Sequence, residues 1–108
     1  MEIINLNLIP DRFSIVAHAS QNDVGRVIRF KLFDGPIPFK LTGSESIKLR
    51  IRKPDGKIAT LPITNTADDY IDIVTTEQLT GTVGRVYCKI RIDDLGTESF
   101  YLFVESQP

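Results

Sequence analysis

The 108-residue sequence has no tryptophan, one histidine and one cysteine. The single cysteine, Cys88, excludes a disulfide within the chain. Its place between Tyr87 and Lys89, in a run of alternating apolar residues, predicts a buried packing residue. The lack of tryptophan and of a cysteine pair also excludes an antibody-type domain, in which a tryptophan packs on an inter-sheet disulfide.

An excess of charge is absent too, because 13 basic and 14 acidic residues give a net charge of −1. No overall field therefore draws the chain toward nucleic acid or an acidic membrane. No segment approaches the roughly 18 apolar residues of a membrane span. The first residues, Met-Glu-Ile-Ile-Asn-Leu, lack the positive and apolar regions of a secretory signal. We expect synthesis in a cytosol, without membrane or nucleic-acid partners.

Catalytic constellations are missing as well. The one possible nucleophile pair, His18 with Cys88, needs an exposed thiolate, whereas the alternation predicts a buried thiol. Aspartates are concentrated at turns, where the side chain bonds nearby backbone, so they indicate no acid-base pair; they are Asp23, Asp34, Asp55, Asp93 and Asp94. The sequence predicts no enzyme.

Metal and cofactor motifs are equally scarce. Asp68, Asp69 and Asp72 carry oxygen ligands that suit calcium, yet they lack the glycine and the terminal glutamate of a calcium-binding loop. The glycines are dispersed at corners, with no phosphate-binding cluster before a helix. We therefore expect no metal and no cofactor.

The sequence is rich in period-2 alternation, which is typical of half-buried strands. Three runs carry it most clearly, and their apolar members are predicted to face the core: Ile28, Phe30 and Leu32; Ile47, Leu49 and Ile51; Val86, Cys88, Ile90 and Ile92. Pro54-Asp55-Gly56 and Asp93-Asp94-Leu95-Gly96 are hairpin signals. The only helical signal lies at Thr75 to Leu79, and Gly81 limits it to about one turn.

Short strands separated by turn signals predict an all-β fold, an immunoglobulin-like antiparallel β-sandwich of about eight strands with at most one short helical turn. We expect residues 1–105 to form one sandwich domain and residues 106–108 to begin a linker.

Basic residues fill the alternate positions that point away from the predicted core. Seven of the 13 basic residues do so: Arg29, Lys31, Lys48, Arg50, Arg52, Lys89 and Arg91. This pattern is typical of a solvated face in which basic residues protect edges and pair partly with Glu98 or Asp72. It is also typical of a docking face for a protein or an anionic polymer. Interleaved aromatics favour a protein partner, so the predicted contact set is Arg29, Lys31, Arg50, Arg52, Tyr87, Lys89, Arg91 and Tyr101.

One stretch resembles a known family. An Arg-Val-Ile-Arg-Phe-Lys-Leu-Phe-Asp-Gly strand, a Leu-Thr-Gly corner and a Lys-Pro-Asp-Gly hairpin follow in that order between Arg26 and Gly56. In order and spacing they are similar to the N-terminal domain of the baseplate upper protein of tailed phages that infect Gram-positive bacteria. The similarity extends from Ile4 to Val104, with looser matches at Phe39 to Leu41 and Tyr70 to Leu79.

The resemblance implies a two-sheet sandwich in the tail baseplate of a virion, synthesised in the host cytoplasm. It implies a non-enzymatic module that docks on the distal tail hub and helps to connect it to receptor-binding proteins through downstream residues. The isolated domain is expected to be monomeric or weakly associated, because it has no heptad repeat, and the full-length protein to be a trimer.

Two rival functions follow from the same pattern. A carbohydrate-binding module that contacts host cell-wall polysaccharide usually presents a flat aromatic platform, and zero tryptophans with only three tyrosines provide little material for one. A nucleic-acid binder that uses the basic face predicts affinity that falls steeply with salt.

Overall fold

The alternating segments form ten strands and one short helix in a computed structural model, which describes residues 2–8, 15–97 and 99–106. The strands are β1 (Glu2–Asn7), β2 (Ile15–Ser20), β3 (Val27–Asp34), β4 (Ile37–Pro38), β5 (Ile47–Arg52), β6 (Ile58–Pro62), β7 (Tyr70–Val74), β8 (Gly84–Ile92), β9 (Leu95–Gly96) and β10 (Phe100–Glu105). Helix α1 (Glu77–Thr80) lies between β7 and β8. The all-β sandwich is confirmed. Ser106 follows β10, and the other two predicted linker residues lie outside the described ranges.

Two sheets form the layers of the sandwich. The four-stranded sheet has β3 between β1 on one side and β4 and β7 on the other. The six-stranded sheet has the order β2-β10-β8-β5-β6, with the short β9 also paired to β8. The chain crosses repeatedly between the layers, so that neighbouring strands in sequence often belong to opposite sheets.

Inward positions of both sheets form one apolar core. The predicted inward residues of β3, β5 and β8 are all buried there. Phe30 of the four-stranded sheet contacts Phe100 of the six-stranded sheet, with ring centroids 4.6 Å apart. Because a one-residue shift of register would turn all of these apolar side chains outward, their burial confirms the predicted registers of β3, β5 and β8.

Strand direction differs from the prediction at two places. β1 pairs with β3 and β2 pairs with β10 in parallel, whereas the other strand pairs in the described parts of the chain are antiparallel. A parallel pair needs a crossover rather than a hairpin. Here β2 supplies the crossover between β1 and β3, because it lies in the opposite sheet.

The two predicted hairpin turns take the expected form. Lys53 N–H donates to the Lys57 carbonyl at 2.8 Å, and Gly56, at φ 88°, donates its N–H to the Lys53 carbonyl at 2.9 Å. Asp93 turns β8 into β9 at φ 52°. Glycine and aspartate tolerate this left-handed conformation better than most residues. Each turn therefore fixes the register of the strands that it joins.

Helix α1 is the single turn predicted before Gly81, which caps its C-terminus. No helix within the described ranges is long and apolar enough to span a membrane.

Candidate functional site

The predicted contact residues lie on two outer faces of the sandwich. Arg29 and Lys31 belong to β3, in the four-stranded sheet. The other six, Arg50, Arg52, Tyr87, Lys89, Arg91 and Tyr101, belong to β5, β8 and β10, in the six-stranded sheet. The structure therefore does not bring all eight together.

On the four-stranded sheet Arg29 is paired within the chain. Arg29 donates two hydrogen bonds to the Asp72 carboxylate, from Nε at 2.8 Å and from Nη2 at 2.9 Å. Its guanidinium also lies 3.7 Å from the ring centroid of Tyr70. The bond to Asp72 raises the pKa of Arg29 above its ordinary value. This confirms the predicted pairing to Asp72, whereas Glu98, the other predicted partner, lies outside the described residues.

On the six-stranded sheet the basic residues stand opposite one another. The register of β5 and β8 places Lys48 across from Arg91, Arg50 across from Lys89, and Arg52 across from Tyr87. We call these three cross-strand pairs the basic ladder. Side chains directly opposite on neighbouring strands are close, and like charges in that arrangement destabilise a sheet. Two consecutive rungs, Lys48·Arg91 and Arg50·Lys89, therefore place positive charges opposite each other.

No described carboxylate forms an ion pair with the ladder. The ion pairs of the described residues involve His18, Arg26, Arg29 and Lys40 instead. Asp93, at the end of the ladder beside Lys48 and Arg91, accepts a hydrogen bond at 2.8 Å from the backbone N–H of Ser46. The ladder is therefore a positive strip, exposed except at the half-buried Lys89, on a chain that is nearly neutral overall.

An aromatic row crosses the same face at the Arg52·Tyr87 rung. Tyr101 lies across from Tyr87 in the sheet, with ring centroids 5.6 Å apart and ring planes at 72°. Val16 and Ile58, at the two ends of this row, are 46% and 56% exposed. The row adds apolar area beside the basic ladder, as at the centres of protein interfaces.

Arg85 joins this site and is absent from the predicted contact set. Its guanidinium lies 5.9 Å from the ring centroid of Tyr101, and it is exposed. The alternation that directs Tyr87, Lys89 and Arg91 outward extends to Arg85 as well. The signal was thus present two residues earlier in the same strand.

Two small clefts separate the side chains of the ladder. One of about 290 Å³ is lined by Ser46, Lys48, Arg50, Thr60, Arg91 and Asp93. The other, of about 180 Å³, is lined by Arg50, Ile51, Arg52, Ile58, Tyr87 and Lys89. Both are smaller than the usual pocket for a drug-sized ligand.

A larger groove of about 470 Å³ lies away from the ladder, along the side of the sandwich where β6 and β7 are near each other. Its walls include Leu49, Leu61 and Ile73. None of the predicted contact residues lines it.

The residues considered for catalysis are not brought together. His18 is exposed on the outer side of β2, whereas Cys88 is 1% exposed and faces the core from β8. Burial raises the pKa of the Cys88 thiol to about 12. A thiol in this state is a poor nucleophile near neutral pH.

Two of the three aspartates considered for calcium lie beside basic residues instead. Asp72 binds Arg29, and the Asp68 carboxylate lies 3.9 Å from Lys40 Nζ. Within the described part of the chain, no group of three or more histidine, cysteine, aspartate or glutamate side chains is placed to hold a metal ion.

Comparisons with known proteins bear on the fold. No protein-family model matches the sequence, and no curated protein matches it either. Among solved structures, the N-terminal domain of phage TP901-1 ORF48 superposes with a TM-score of 0.75, covering 96% of this chain and 97% of that chain. The chain has the fold of that phage domain.

The two sequences are 12% identical, so the likeness to the ORF48 domain shows a shared fold and no shared residue roles. The overlap extends over nearly all of both chains. The two-sheet architecture that the sequence resemblance implied is therefore confirmed.

Proposed function

We propose that this chain is a non-enzymatic structural module of a phage tail baseplate, located in the virion, which docks on the tail hub and helps to connect it to receptor-binding proteins. The fold shared with the ORF48 domain over 96% of the chain supports a phage structural role. The order of the strand, corner and hairpin motifs between Arg26 and Gly56, which resembles the baseplate upper protein family, supports a location in the baseplate in particular.

The observation that supports the choice of docking surface is the basic ladder, which has no ion pair to a described carboxylate. Two consecutive rungs place like charges opposite each other, and no described carboxylate forms an ion pair with them. This arrangement reduces the stability of the free sheet. The rungs gain favourable interactions when an acidic surface covers them. The neighbouring row of Val16, Tyr101, Tyr87 and Ile58 supplies apolar contact area. We therefore assign docking to the outer face of the six-stranded sheet, and we place Arg29 and Lys31 outside the contact area.

The arrangement of partners follows from this assignment. The hub contacts this domain directly, and receptor-binding proteins attach through residues downstream of the domain. The isolated domain is a monomer or associates weakly, and a trimer forms through those later residues. Synthesis occurs in the host cytoplasm before assembly into the tail.

Co-expression with the tail proteins of the same phage tests this function. We expect the tagged domain to retain the tail hub protein through affinity purification and size exclusion, because both a charged strip and apolar area are buried on docking. The same preparation without the hub gene is the control. Elution of the domain and the hub as separate species, at low and at physiological salt, would refute the docking role.

The carbohydrate-binding alternative makes a different prediction. Tyr87 and Tyr101 meet edge to face at 72°, so their rings do not share the plane that stacking on a sugar ring requires. Titration with host cell-wall polysaccharide is expected to give no saturable binding. Saturable binding that Tyr101→Ala abolishes would favour the carbohydrate-binding module instead.

A further inference from the structure

The spacing of the basic ladder indicates the conformation of the segment that would bind it, whereas its charge indicates only that the segment is acidic. Its rungs follow one another at every second residue of β5 and β8. Successive rungs are therefore about 6.6 Å apart, because a strand advances about 3.3 Å per residue. An extended polypeptide laid along the strands has the same repeat, because its side chains on one face recur at every second residue. The ladder thus matches an extended segment that carries acidic side chains at alternate positions.

The clefts support the same spacing. The first is lined by Lys48, Arg50 and Arg91, together with Thr60 and Asp93. The second is lined by Arg50, Arg52 and Lys89, together with Ile51, Ile58 and Tyr87. Each therefore has three basic groups in its wall and room for an acidic side chain. A carboxylate in either cleft would meet these cationic groups, and in the first cleft the Asp93 carboxylate offsets one of their charges.

The two ends of the ladder differ, and this limits the length of the matching segment. Asp93 lies beside the Lys48·Arg91 rung, so a third carboxylate beyond that end would meet a negative charge. At the other end lies the aromatic row, to which Tyr87, Tyr101 and Ile58 belong. The segment that fits the face therefore carries two acidic residues and one apolar residue, each separated by one residue.

We propose that the basic ladder recognises an extended segment of its protein partner with the pattern acidic-x-acidic-x-apolar, laid along β5 and β8 in either chain direction. This inference rests on the proposed docking function and specifies its partner chemistry. Recognition occurs through side chains, because β5 and β8 are already paired on both edges.

Peptide binding to the isolated domain tests the spacing. The probes are two capped synthetic peptides of one composition, Glu-Thr-Glu-Thr-Leu and Glu-Glu-Thr-Thr-Leu, together with the reversed sequence of each. Amide chemical shifts are followed by NMR during titration at low salt. We expect the better alternating peptide to bind about fivefold more tightly than either clustered peptide, since clustering removes about one ion pair. The shifts are expected at β5 and β8.

Two variants of the domain serve as the controls. Lys48→Glu/Lys89→Glu places one acidic side chain on each of two rungs and is expected to abolish the preference for the alternating peptide. Lys31→Glu/Lys40→Glu makes the same change of net charge away from the ladder and is expected to leave the preference intact. Both variants should give folded-state spectra, because all four side chains lie outside the core.

Equal affinities for alternating and clustered peptides would overturn the inference, as would a preference that survives Lys48→Glu/Lys89→Glu. Tighter binding of a DNA oligonucleotide of equal charge than of the alternating peptide would overturn it too. None of these results decides whether the hub docks, because that is read from co-purification with the hub protein.

Discussion

Charge reversal at Arg50 and Arg52 is expected to abolish co-purification with the tail hub. The double variant Arg50→Glu/Arg52→Glu puts negative charge on two adjacent rungs of the basic ladder, where an acidic partner surface would then be repelled. Loss of two contacts and gain of repulsion predicts affinity weakened by about 100-fold or more. Titration calorimetry of the domain against purified hub protein measures this change directly.

The fold itself should survive this double substitution. Both side chains are exposed, and an acidic side chain opposite Lys89 replaces a like-charge pair by an opposite-charge pair. The matched control, Lys31→Glu/Lys40→Glu, changes the net charge equally but away from the ladder, and it should bind the hub like the wild type. Unchanged hub affinity in Arg50→Glu/Arg52→Glu would show that another surface docks.

Phe30→Ala is expected to cause the largest loss of stability from a single substitution. Phe30 is 0% exposed and its ring lies 4.6 Å from that of Phe100 across the two sheets. Removing it leaves a cavity between the layers, which costs about 3–5 kcal/mol in the free energy of unfolding. Chemical denaturation followed by circular dichroism measures this cost.

Phe33→Ala is the matched control, because Phe33 lies in the same strand on the opposite, outer side and is only half-buried. Its substitution should cost no more than about 1 kcal/mol. Equal losses for Phe30→Ala and Phe33→Ala would mean that β3 does not face the core as described.

The inward and outward positions of the strands could be predicted from the sequence because they depend on local chemistry. Ile28, Leu49 and Ile90 each lie in a strict alternation, and all three are buried. The turns at Gly56 and Asp93 were predictable for the same reason, since the residue types limit the backbone conformation.

The assignment of strands to sheets could not be predicted in this way. Arg29 and Arg50 occupy equivalent positions in equivalent patterns, yet they lie on opposite faces of the molecule. Alternation indicates which side chains are buried but not which strand is adjacent. The parallel pairs of β1 with β3 and β2 with β10 depend on contacts between distant segments.

The candidate site was accordingly predicted in part. The sequence indicated outward basic residues with aromatic neighbours, and the structure separates them into a face where Arg29 is neutralised by Asp72 and a face where the ladder is unpaired among the described residues. The sequence named Asp72 as one of two partners for the basic residues without assigning its base. Which base it meets depends on cross-strand register, because Asp72 lies 43 residues from Arg29 in sequence.

Differential lysine acetylation of the domain, free and in complex with the hub, tests the docking face most directly. Mass spectrometry reports the reactivity of each lysine separately. We predict that the complex protects Lys48 and Lys89 on the six-stranded sheet, while Lys31 and Lys40 react as in the free domain. Protection of Lys31 and Lys40 with unchanged reactivity at Lys48 and Lys89 would contradict the assignment of docking to the basic ladder.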